Sequence, residues 1–198
     1  MYPIKANDFS NEEKINLISD HFKEIMQILG LDLENDSLKK TPHRVGKMFV
    51  NEIFKGLSDN NKPKISTFSN SFKYDEMIIV KDIKLFSFCE HHFLPFIGTA
   101  CVGYIPNGKV VGLSKISRIV DYFSRRPQIQ ERLTEEIYAE LEKVLNTEDI
   151  MIIIKATHYC MIIRGVEDIN AQTVTSKTSG KFRENDKTRN EFMSLLKS

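Results

Sequence analysis

Two short stretches constrain this chain more than any others: Cys89-Glu90-His91-His92 and, much further along, His158-Tyr159-Cys160. Together they hold three of the five histidines and two of the three cysteines. A thiol, a carboxylate and two imidazoles in successive positions, flanked by FSF and FLPF, are costly to bury without partners. Thiolate with imidazole is a zinc-type ligand set. If both stretches serve one ion, the fold must bring two remote segments to a single point. His158 and Cys160 are two apart in the strand-like run IMIIIKATHYCMII and are expected on one face of it. Cys89 and His92 are an odd number apart and would point oppositely in a straight strand, so CEHH must be a turn if both bind.

Five candidate ligands compete for at most four positions, and a site with three protein ligands keeps the fourth for water. The surplus imidazoles would then lie beside the metal as proton-transfer groups titrating nearest neutrality. Water on such a metal ionises near pH ~7, which points to hydrolysis. A closed four-ligand staple, or histidines merely hydrogen-bonded in a core, is the structural alternative. Cys101, alone in an alternating run, reads as a small core residue.

The 198 residues suit one domain with an appendage, and 41% hydrophobic with 28% charged residues is ordinary globular composition. With 28 basic against 27 acidic side chains the net charge is +1, which gives no support to nucleic-acid binding and requires any anion site to be local. No apolar run reaches the ~18 residues of a membrane span, and MYPIKANDFSNEEK lacks the features of a signal peptide. A cytoplasmic protein without a membrane partner is expected. An odd cysteine count argues against a disulfide framework.

Ser10-Asn11-Glu12-Glu13 reads as a capping box opening a first helix, which Gly30 stops. Thr41-Pro42, a good cap and first-turn pair, opens a second, ending near Gly56. From Lys64 to Val111 short β-branched and aromatic runs predict strands with at least one hairpin, and Pro106-Asn107-Gly108 is a turn signal. LSKISRIVDYFS and QIQERLTEEIYAELEKVL have helical period, AQTVTSKTS reads as a strand, and ENDKTRNEFMSLL as a final helix. The expected organisation is a helical extension over 1–60 and an α+β catalytic domain over 61–198.

Ser114, Lys115 and Arg118 open a helix with both cations on one side, an arrangement that favours phosphate at the helix start; a solvated basic face is the plainer reading. Arg44 and Arg164 are candidates to join them. Gln130 and Glu131 are by default helix-surface residues, although a glutamate there has the acceptors to pair with N1–H and the amino group of guanine.

CEHH, GYIPNGKVVGLSKISRIVDYFSRRPQIQERLTEEI and HYCMIIRG, with TPHRVGKMFVNEIFKGL before and KTRNEFMSLL after, resemble GTP cyclohydrolase I. The resemblance spans nearly all of the chain after the first helix. It implies a tunnelling fold: an antiparallel four-stranded sheet with two helices on one face, preceded by a helical extension. It also implies a homo-oligomer, a toroidal decamer with active sites at subunit boundaries. By position, Cys89, His92 and Cys160 would hold Zn2+ and His91 and His158 would transfer protons. Glu131 and Gln130 would recognise guanine, and Ser114, Lys115, Arg118, Arg44 and Arg164 would contact triphosphate and ribose. The implied reaction is hydrolysis at C8 of GTP, with formate released and 7,8-dihydroneopterin triphosphate formed, the first step of tetrahydrofolate and pterin biosynthesis. Its rivals are a zinc-stabilised nucleotide-binding module and a nitrile reductase of the same fold.

Overall fold

A computed structural model describes residues 8–197; residues 1–7, part of the segment read as lacking a signal peptide, lie outside it. The fold is α+β. Helices α1 (Asn11–Ile28) and α2 (Thr41–Met48) come first, and strands β1 (Thr67–Ser69), β2 (Ile78–Cys89), β3 (Pro95–Tyr104) and β4 (Lys109–Val111) follow. Then come α3 (Leu113–Ser124), β5 (Pro127–Gln128), α4 (Gln130–Leu145), β6 (Ile150–His158), α5 (Tyr159–Ile162), β7 (Thr173–Thr178), α6 (Lys181–Glu184) and α7 (Asp186–Lys197).

The expected box at Ser10 forms: its side chain accepts from the Glu13 amide at 3.2 Å and the Glu13 carboxylate accepts from the Ser10 amide at 2.7 Å. The second helix differs from expectation. Thr41 is its first residue rather than its cap, and beyond Met48 the chain continues as a π turn over Phe49–Ile53 and a 3-10 turn over Lys55–Leu57.

Strands β2, β3, β6 and β7 are antiparallel neighbours, but the sheet has five strands rather than the expected four, in the order β5-β2-β3-β6-β7, because two-residue β5 adds in parallel beside the end of β2. Strands β1 and β4 pair separately, so the Pro106–Gly108 turn links two sheets; the hairpin is β2–β3. Alternation along β6 sorts the two faces. Ile150, Ile152 and Ile154 pack with α3 and α4, whereas Met151 and Ile153 meet Phe182 and Phe192 of α6 and α7. The final helices therefore cover part of the face opposite α3 and α4.

Leu133, Ile137, Leu141 and Leu145, spaced by four along α4, are fully buried on the sheet, each side chain worth about 1.5–3 kcal/mol. The amino-terminal helices join the body at Gly56, whose N–H donates to Arg125 O at 2.9 Å and whose carbonyl accepts from Arg126 Nε at 2.8 Å. Any Cβ there would strike the carbonyl oxygens of Tyr122 and Arg125.

Gly180, in the turn from β7 to α6, has φ +50°, and a Cβ would collide with the Asp149 carboxylate and the Glu148–Asp149 backbone. Gly180→Ala is expected to cost about 1–3 kcal/mol, read as a lower midpoint in urea. An unchanged midpoint would show that the turn relaxes freely.

Candidate metal centre and active site

CEHH is a turn, as its parity required, and it closes the β2–β3 hairpin. Cys89 ends β2; its N–H donates to Leu94 O at 2.8 Å, and its carbonyl accepts from His92 N at 3.3 Å and Phe93 N at 2.8 Å. Phe93 takes φ +54°, unfavourable for an aromatic residue. Ring packing holds it there. Phe54, from the amino-terminal segment, makes edge contacts with Phe49, Phe88 and Phe93 at 5.1, 5.3 and 5.4 Å. Each such pair contributes about 0.5–1.5 kcal/mol beyond burial. The phenylalanines flanking CEHH thus seat the turn on the helical segment.

The second stretch departs from expectation. Strand β6 ends at His158, and Tyr159–Ile162 is a helical turn, so His158 and Cys160 do not share a strand face. His158 already pairs with Phe96, next to the Pro95 that starts β3, and no ladder remains for Cys160 to join. The helical turn nevertheless delivers the thiol. One donor atom from each of Cys89, His92 and Cys160 lies within 4.8 Å of the others, and Cys89 Sγ is 3.8 Å from Nδ1 of both His92 and His91.

In tetrahedral zinc coordination, bonds of ~2.3 Å to sulfur and ~2.1 Å to nitrogen separate the two donors by roughly 3.6 Å. The donor set fits that spacing. Burial, and then the adjoining Cys89 sulfur, raise the Cys160 thiol above its ordinary value. Two sulfurs pressed together resist becoming thiolates unless a cation lies between them.

His158 stacks on Phe96 with ring centroids 4.5 Å apart, and its Nε2 lies 2.8 Å from Gln130 Oε1. Gln130 is buried rather than superficial; its Nε2 donates to Ile154 O, Thr173 O and Thr175 Oγ1, each at 3.1 Å. Those acceptors orient the amide, so Oε1 accepts from His158 Nε2–H, and Nδ1 is the ring nitrogen that Gln130 does not engage. Burial lowers the His158 pKa despite the opposing charge of Glu131. His91 is exposed, its ring 6.3 Å from that of His92.

Sequence reasoning missed one element of the site. Arg132 Nη1 and Nη2 clamp the Glu90 carboxylate with contacts of 2.8, 2.8 and 2.9 Å, and the guanidinium holds the Glu90 carboxyl below its usual pKa. The only available signal was the otherwise idle carboxylate inside CEHH. Its partner, 42 positions away, carried none.

A family model described as GTP cyclohydrolase I matches residues 18–197. The chain belongs to the GTP cyclohydrolase I family. It is 52% identical over 192 residues to GTP cyclohydrolase 1 of Flavobacterium johnsoniae, covering 97% of this chain and 86% of that one. It is 51% identical over 195 residues to GTP cyclohydrolase 1 of Aeromonas salmonicida, with 98% and 89% covered, and 50% identical over 195 residues to that of Aliivibrio fischeri, with 98% and 90% covered. The solved archaeosine synthase QueF-Like in the apo form is a distant likeness, with a TM-score of 0.46 at 18% identity over 55% of this chain and 97% of that one.

The remaining residues that resemblance to the GTP cyclohydrolase I family singles out come from α2, α3, α4 and the segment after α5. Glu131 is exposed in the first turn of α4, between buried Gln130 and Arg132. Arg164 is exposed, with Nη1 2.8 Å from His92 Nε2; a guanidinium only donates, so Nε2 is the acceptor in that contact. Ser114 and Arg118 are exposed and Lys115 half-buried at the start of α3, and Arg44 is exposed on α2. Among the described residues no hydrogen bond or ion pair links these four to the Cys89–His92–Cys160 group. Cys101, as expected, is a core residue, its thiol pushed up to about 12 by burial.

Proposed function

We propose that this chain is a zinc-dependent GTP cyclohydrolase that opens GTP at C8, releases formate and rearranges the remainder to 7,8-dihydroneopterin triphosphate. The observation that carries the reading is the convergence of Cys89, His92 and Cys160, with the His91 imidazole against the Cys89 sulfur, in a chain of this family. Cys89, His92 and Cys160 are the proposed holders of the ion. When bound, it supplies Lewis acidity and makes water acidic enough to act as a nucleophile near neutral pH.

The other groups bind substrate and move protons. Glu131 accepts the guanine N1–H and 2-amino hydrogens, while Gln130 orients His158. In its imidazolium form, with Nε2–H held by Gln130, His158 gives the Nδ1 proton to purine N7, so that C8 accepts water and the C8–N9 bond breaks. His91 serves the second hydrolysis, in which the C8–N7 bond breaks and formate leaves. Opened ribose then condenses with the freed amine and expels one water. Two waters enter and one departs, so the sum is GTP plus water giving formate and the pterin triphosphate. Proton transfer of this kind contributes roughly 10²- to 10⁴-fold per group.

Ser114, Lys115, Arg118, Arg44 and Arg164 are the proposed triphosphate and ribose contacts. None of the first four is hydrogen-bonded or ion-paired to the ligand group among the described residues, which is in keeping with a site completed between subunits of a homo-oligomer, in the toroidal decamer that the resemblance implies. The described part of residues 1–60 is then a helical extension of a tunnelling-fold catalytic domain over 61–198. A cytoplasmic setting is consistent with three unpaired cysteines, and among the described residues no helix is long and apolar enough to cross a membrane. The product places the reaction at the start of tetrahydrofolate or pterin synthesis.

Incubation of the purified protein with GTP tests the reading directly. Formate and a fluorescent pterin after oxidation are expected in equal amounts. Bound GTP without formate would make the chain a nucleotide-binding module instead.

A further inference from the structure

We infer that the Glu90–Arg132 pair is a positioning device that sets the spacing of the two metal-ligand segments against the helix carrying Glu131; the inference rests on the metal reading proposed above. Glu90 lies inside the turn, between Cys89 and the two histidines. Its backbone N–H is held by Gln128 O at 3.0 Å, and its carboxylate by the Arg132 fork. The carboxylate also lies 3.8 Å from His91 Nε2.

Arg132 belongs to the first turn of α4, and the same turn supplies Gln130, which binds His158 two residues before Cys160. One helical turn thus grips both halves of the donor set. Arg132 reaches the Cys89–His92 side, and Gln130 reaches the Cys160 side. Glu131 sits between the two grips, so any shift of the metal turn relative to α4 changes the distance from the metal to the proposed base-reading carboxylate.

A solvated ion pair would have little such effect, since exposed pairs hold their geometry weakly. Here the side chains are only 19% and 27% exposed, and the bidentate fork fixes orientation as well as distance. Partners that orient a metal-bearing segment without touching the ion typically change metal affinity by roughly 10- to 100-fold when removed.

Cobalt(II) titration of the full chain, stripped of metal, provides the test. Wild type is expected to show a thiolate-to-cobalt charge-transfer band and the strong visible bands of tetrahedral cobalt. Glu90→Gln and Arg132→Gln should each raise the cobalt Kd by roughly 10- to 100-fold and shift the visible bands. Arg132→Lys, which keeps the charge but loses the fork and is the gentlest for folding, should fall between them and wild type. The exchanged pair Glu90→Arg with Arg132→Glu should recover affinity and spectrum. If the single variants keep their circular dichroism and bind cobalt with wild-type Kd and spectrum, the positioning role is wrong while the metal site stands. If wild type itself gives no thiolate band, the metal reading fails and takes this inference with it.

Discussion

A Cys160→Ser protein that keeps its circular dichroism and melting temperature will release formate from GTP at least roughly 10³-fold more slowly than wild type, because activation of water from pKa ~15.7 toward ~7 is lost with the ion. Serine nearly preserves the volume of cysteine, and its hydroxyl does not ionise to replace a thiolate. Position 160 lies on a four-residue helical turn outside the main hydrophobic cluster, packed against it rather than within it, so the fold should tolerate the change. Formate release and bound zinc are measured on the same preparation. Full activity in a zinc-free Cys160→Ser protein would remove the metal from the mechanism altogether.

Glu131→Gln is expected to lower kcat/KM for GTP by about 10²-fold or more. The glutamine amide offers one acceptor and turns two hydrogens toward groups that are themselves donors, so a charge-assisted pair becomes a repulsive one. The effect on stability should be small. Glu131 is exposed in the first turn of α4, where a negative charge gains about 0.3–1 kcal/mol from the helix dipole. Steady-state kinetics beside a urea titration separates the two effects. A wild-type kcat/KM would return Glu131 to the ordinary surface of an amphipathic helix.

Local signals were legible in the sequence, and ligand chemistry pointed to the meeting of Cys89, His92 and Cys160, but the other pairings across the fold were not legible. Capping at Ser10, the span of α3 and the turn at CEHH rest on neighbouring residues or on the parity of a strand, and the structure has each of them. The run IMIIIKATHYCMII is uniformly apolar and β-favouring, yet a strand persists only while a neighbour supplies hydrogen bonds. Strand β3 starts at Pro95, so β6 stops at His158 and the chain turns helical. Gln130 looked superficial because helical periodicity says nothing about the strand that later packs on the first turn of α4. The Glu90–Arg132 clamp needs the sheet and α4 to be in place before either residue has a partner.

The position of the donors also fixes the order in which such a protein matures. Two of them close a hairpin and the third follows a strand on the far side of β3, so a growing polypeptide has no complete donor set until β6 and the helical turn after it have left the ribosome and docked. In a zinc finger the ion makes the fold, because little else holds it together. Here twenty buried residues besides Cys89 form the main apolar core between the sheet and the helices. On the proposed reading, zinc would enter a scaffold already folded, and its supply would govern chemistry rather than architecture.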